Sequence, residues 1–439
     1  AGLGATQLGG MTAAAMSGFD KDQMAALDVT AMAGFGATQT AGMDPTAMAG
    51  LGADQLGGMT ADAMGGFGAA QTAALDTTAM AGLGADQLGG MSAAAMGGFD
   101  ATQMAAFDPA AMAGFDATQT GGMSAASMAG LGADQLGGMT AAAMGGFGAT
   151  QVAGMDATAM AGLGAAQLGG MSATAMAGFD AAKTSAFAAT AMAGLGADQL
   201  GGMTAAAMGG FDATQMAGLD PTAMSGLGAS QLSGMTAAAM GGFGATQMAA
   251  LDSTAMAGMG AAQIGGMTAA AMGGFDATQM AALDPTAMAG MGADQMGGMT
   301  AAAMGGFGAT QMAALDTAAM AGLGAAQLGG MTADAMGGFG ATQMAALDAA
   351  AMSGLGAAQL GGMTADAMGG LGATQMAALD AAAMSGFGAA QLGGMTKAAM
   401  GGFGATQMAA LDTAAMSGLG ADQMGGMTAA AMGGFDATQ

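Results

Sequence analysis

Leu283-Asp284-Pro285-Thr286-Ala287-Met288-Ala289-Gly290 carries a complete set of signals for one short helix. Asp284 is a helix N-cap, and Pro285 takes the first helical position, where its missing N–H is no loss. Gly290 predicts a left-handed exit. Leu283 and Met288 occupy the two positions of a hydrophobic staple. All four prolines, Pro45, Pro109, Pro221 and Pro285, fall at this same place in the pattern.

Outward from Leu283 the chain divides into octads without a slip, from Leu3 to Gly434, and Phe435–Gln439 begin one more. Position 1 is always Leu, Met or Phe, and position 8 is Gly or Ala. Position 6 is Leu, Met, Ile or Val except at Thr40, Thr72, Thr120 and Thr184. Two kinds alternate. The Gln octad, as in Leu83-Gly84-Ala85-Asp86-Gln87-Leu88-Gly89-Gly90, has Gln at position 5 everywhere but Lys183. The Met octad, as in Met91-Ser92-Ala93-Ala94-Ala95-Met96-Gly97-Gly98, usually has a small polar residue at position 2 and always Met at position 6.

From Leu131 onward, pairs of octads alternate in turn, giving a 32-residue super-repeat. Earlier it is interrupted by extra 16-residue pairs at Phe35 to Gly50 and Phe115 to Gly130. Steps of this size suggest that two octads make one coil. Ala, Met, Leu and Gln favour helix, strict two-residue alternation is missing, and 90 Gly exclude a continuous helix.

The predicted fold is therefore an all-α repeat solenoid of very short helical turns, one per octad, with two octads as the coil unit; the alternative is a β-solenoid. An isolated helix of this length is unstable in water, so order must come from stacking. Positions 1 and 6 are the expected core. Residues 1–439 read as a single continuous array, and two-octad coils spaced like packed helices predict a rod of about 220 to 270 Å. The chain opens at Ala1-Gly2-Leu3 and stops mid-octad at Gln439 without a polar cap. This suggests a segment of a longer array or ends that stack on ends, with any targeting segment elsewhere.

Composition removes most chemistry. Cys and His are absent, which leaves no thiol nucleophile, imidazole base, disulfide or ordinary zinc, iron–sulfur or haem ligand set. No catalytic, cofactor-binding or metal-ligating residues are assigned, and the chain is not expected to be an enzyme. A formal charge of −26 disfavours nucleic acid and anionic membranes. No apolar run is long enough for a membrane span.

Four files of side chains invite functional readings. The Met at position 6 of every Met octad, for example Met96, Met112 and Met128, could bind Cu(I) or buffer oxidants, or could simply fill an irregular core. Gln87, Gln103, Gln119 and their equivalents could form an amide ladder or cap their own helices. Asp at positions 2 and 4 reads as helix capping, with weak divalent cation binding as a further expectation. Thr at position 4 raises an adhesive or ice-facing surface. The lysines Lys21, Lys183 and Lys397 are scattered and make no phosphate site.

The octad form, an apolar residue, a small cap, two variable residues, Gln, an apolar residue and two small ones, resembles low-complexity octapeptide repeats of very large secreted or surface proteins of bacteria. The resemblance implies an extracellular or cell-surface structural role. The expected function is a rigid acidic element of a fibre, filament or surface layer that self-associates. Copper-binding or redox buffering by Met, and an adhesive or ice-facing surface, are the alternatives.

Overall fold

The computed structural model describes residues 2–439. From Leu3 to Gly434 each octad holds one short helix, and no strand occurs among the described residues. The all-α repeat reading holds, and the β-solenoid alternative does not.

Local capping explains each helix. In Gln octads the helix runs from position 3 to 7 or 8, as in Ala85–Gly90, and the Gln87 Oε1 accepts the Gly84 N–H at 3.1 Å. Where position 2 is Asp, a second bond is added: Asp100 accepts the Gln103 N–H at 2.8 Å, while Gln103 accepts the Asp100 N–H at 3.0 Å. This reciprocal pair is a capping box. Met octads come in two forms. With Ser or Thr at position 2 they make a short α-helix, such as Ala93–Met96, whose Ser92 hydroxyl accepts the Ala95 N–H at 3.2 Å. With Asp at position 2 most make a 3₁₀ helix, such as Pro285–Gly290, whose Asp284 accepts the Thr286 N–H at 2.8 Å. Pro45–Met48 is an α-helical exception.

Positions 1 and 2 link successive helices in extended conformation, for example Met91 at φ −76°, ψ 147°. No described residue has positive φ, glycine included. The expected left-handed exit at position 8 is thus corrected. Gly58, at φ −79°, ψ −9°, remains right-handed. Its class of glycine serves another purpose: a Cβ on Gly82 would overlap the Ala53 carbonyl, and one on Gly290 the Ala261 carbonyl.

Those overlaps join helices of adjacent turns, and they fix the coil. Within each of the chain's two compact units, helices three octads apart pack on one another, as Ala133–Gly138 packs on Pro109–Gly114 before it and on Ala157–Gly162 after it. Three octads therefore close a turn, and the expected coil of two octads is corrected to three. The reason lies in position 5, which is buried in most octads and half-buried in others, such as Gln87 and Gln135, and so joins positions 1 and 6 on the inner side: Gln103, Met104 and Phe107 are 2%, 0% and 2% exposed. Three inward positions per octad require an interior to enter, which three sides enclose. Positions 2, 4 and 7 face outward, and positions 3 and 8 lie where one turn meets the next.

The contacts divide the chain into two compact units, Ala1–Gly226 and Leu227–Gln439. At three octads per turn each unit holds roughly nine turns, a stack of about 70 to 90 Å at ordinary helix-packing distances. Burying the apolar side chains at positions 1 and 6 contributes about 1.5–3 kcal/mol each, which offsets the poor intrinsic stability of so short a helix.

Candidate functional surfaces

The Gln side chain is the most heavily used polar group in the structure. Its Oε1 caps its own helix, while its Nε2 donates to main-chain carbonyls one turn earlier. Gln103 donates to Thr72 O at 2.9 Å and Leu75 O at 2.7 Å, and Gln343 to Met312 O and Leu315 O, both at 2.8 Å. The same bridge recurs from Gln39 to Gln215 in the first unit and from Gln263 to Gln439 in the second, with Lys183 as the substituted member. Of the two readings of the Gln file, local capping is present, and its free amide end staples the turns. These bonds join amide to backbone, so the file is not a ladder of Gln on Gln.

Lys183 occupies a Gln position and is buried, and its Nζ lies 2.9 Å from the Asp180 carboxylate. Lys21 and Lys397 are exposed. At Asp180 the Lys183 side chain, followed by the Lys183 N–H, holds the carboxyl below its ordinary range.

The Met side chains do not make a single file. They recur in every second octad, two-thirds of a turn, so successive sulfurs fall on different sides of the interior. From Met16 to Met400 every position-6 Met of a Met octad is 0% exposed. Four position-6 places hold Thr instead, and each hydroxyl is engaged across a turn: Thr40 donates to Ala63 O at 2.6 Å and Thr72 to Ala95 O at 2.8 Å. Sequence reasoning located these threonines as exceptions; the carbonyl one turn away that satisfies them was not visible in the linear pattern.

Asp acts mainly at helix starts. Asp284 accepts from the Thr286 hydroxyl at 2.7 Å and its N–H at 2.8 Å, and these two bonds, the hydroxyl first, hold its carboxyl below the ordinary value. Asp28, Asp44 and Asp220 are lowered in the same way by Thr30, Thr46 and Thr222. A different role appears at Asp62, Asp334 and Asp366. Each accepts, at 3.3 Å, an N–H of a helix one turn earlier: Ala37, Ala309 and Ala341. Those helices begin with Gly36, Gly308 and Gly340, which have no capping side chain of their own. No group of three or more Asp positioned to hold a metal ion occurs among the described residues.

The outward Thr side chains fall on different sides. A 32-residue super-repeat spans four octads and a turn spans three, so a given octad class returns to the same side only after twelve octads. Shallow hollows recur where a Gln octad meets a 3₁₀ octad: about 410 Å³ around Pro285, Phe307 and Thr310, and about 450 Å³ around Asp316, Phe339 and Thr342. A larger hollow of about 780 Å³ is lined by Leu3, Phe19, Gln23, Leu27 and Asp28 among others. No helix among the described residues is long and apolar enough to cross a membrane. Comparison with models of known protein families and with curated proteins finds no match.

Proposed function

We propose that the chain is a structural protein: a stiff, acidic, self-associating element of an extracellular fibre, filament or surface layer. The supporting observation is the Gln staple, which commits the main recurring polar side chain to holding turn upon turn. Among the described residues no buried side-chain nitrogen or oxygen lacks a hydrogen-bond partner. Many Asp and Thr of the surface are likewise engaged in capping, and the negative charge left outward favours solubility. The low count of Lys, with no Arg, leaves few sites for trypsin-like proteases, which suits an exposed location.

Electron microscopy of the purified protein with far-ultraviolet circular dichroism tests this reading. Filaments with a helical spectrum are expected, and discrete compact particles would sink it. The copper or redox alternative rests on the Met count alone, and the enclosure of the position-6 sulfurs favours a packing role. Under that reading hydrogen peroxide oxidises those Met only as the fold opens, and Cu(I) titration gives no stoichiometric binding.

A further inference from the structure

Three octads per turn is an odd number, and the octads alternate between two kinds. A Gln octad therefore always packs on a Met octad, and a Met octad on a Gln octad, throughout each unit. The two joints differ chemically. In the first, the Gln amide reaches down to a corner where a Met octad begins, and that corner holds a compact Asp, Ser or Thr cap, such as Asp76 beneath Gln103, or the still smaller Ala188 beneath Gln215. If a Gln octad lay beneath instead, its own Gln would already occupy that corner, as Gln71 does at the Gly68 N–H. If two Met octads were stacked, the corner carbonyls would receive no amide.

We infer that the array is quantised in pairs of octads, so that it can gain or lose an even number of octads but not one or three. A change of three octads removes or adds one whole turn and keeps the coil in phase. Yet it places like on like at three successive joints. The two extra pairs, Phe35 to Gly50 and Phe115 to Gly130, obey the rule, and the two-octad step in the sequence records this parity rather than the length of the coil.

Position 8 supports the pairing independently. Ala stands there only in Gln octads, and from Ala74 to Ala186 in the first unit and from Ala282 to Ala410 in the second the octad one turn earlier is always Asp-capped. The Gln octads of the two inserted pairs have Gly42 and Gly122 instead, and they pack on the Ser- or Thr-capped helices Ala13–Met16 and Ala93–Met96, whose backbone a Cβ would overlap. Ala at position 8 thus marks an Asp-capped neighbour one turn earlier, while Gly stands over either kind, as Gly58 and Gly138 do over the Asp-capped helices Val29–Gly34 and Pro109–Gly114.

Four deletions in the full chain test the rule: residues 299–306, 299–314, 299–322 and 299–330, which remove one, two, three and four octads. Loss of two or four should leave the melting temperature within about 3 °C of the parent and resistance to a low-specificity protease unchanged. Loss of one or three should speed cleavage near the joint by about tenfold or more, as expected for a locally broken interface in a repeat array. Failure of these two alone to fold also supports the rule, because the longest deletion serves as the control for lost length. A three-octad deletion as protected as the parent would overturn it, as would all four deletions behaving alike.

Discussion

The Gln103 side-chain amide donates to the Leu75 carbonyl at 2.7 Å, across 28 residues of chain and one turn of the coil. The same nitrogen donates to Thr72 O at 2.9 Å, and the residue is 2% exposed. Gln103→Ala removes both bonds and leaves the Leu75 carbonyl without this partner, at a cost of about 2–3 kcal/mol. Gln103→Glu keeps the acceptor but points a carboxylate at two carbonyls, and is expected to destabilise more. Urea unfolding of the single variants checks the order wild type, Ala, Glu.

Position 8 predicts opposite outcomes for one substitution at two places. Gly194→Ala forces a methyl into the Ala165 backbone and should destabilise by about 1–3 kcal/mol. At Gly218 a Cβ would lie 2.8 Å from Ala189 O, the looser joint over a 3₁₀ octad. Equivalent octads carry Ala there, such as Ala282 at φ −83°, ψ −10°. Gly218→Ala is expected to be neutral or to stabilise by up to about 1 kcal/mol through the unfolded state. Thermal melts of the two variants decide it.

The Asp62 carboxylate caps the helix that begins at Gly36 from the following turn. Gly36→Asp would supply a cap within the same turn but set two carboxylates together. A double-mutant cycle with Asp62→Ala should show unfavourable coupling between the introduced carboxylate and that of Asp62, weakening as salt is added. The natural pattern already avoids the clash: one turn after the Asp-capped helices at Asp100, Asp116 and Asp180, position 4 is Ala126, Ala142 and Ala206.

Acid should act on the Asp–Thr caps. Because Asp28, Asp44, Asp220 and Asp284 have lowered folded pKa values, their stabilisation is complete above the unfolded value of about 3.9 and is lost as pH falls through the folded value. Their contribution is flat from pH 7 to about 5 and falls away below about 4. Thr286→Ala should raise the titration midpoint of Asp284, read by carboxyl carbon NMR, while a midpoint unchanged by the substitution would show that the threonine hydroxyl has no part in it.

The sequence by itself determined the octad, the helix within it and the apolar character of positions 1 and 6, because caps, prolines and propensities act within eight residues. Asp284, Pro285 and Met288 take the places their chemistry prescribes, though the helix they open is 3₁₀. What closes the coil is not local. Two and three octads per turn are equally compatible with the signals inside one octad, and only packing that buries position 5, brings Gly82 against Ala53 and joins Gln103 to Leu75 selects three. A trace of that choice lies in the sequence, in the Ala and Gly of position 8, but it becomes readable only at a spacing of three octads. The tertiary structure decided the role of glycine for the same reason: the missing Cβ is needed by the neighbouring turn, not by the residue's own φ.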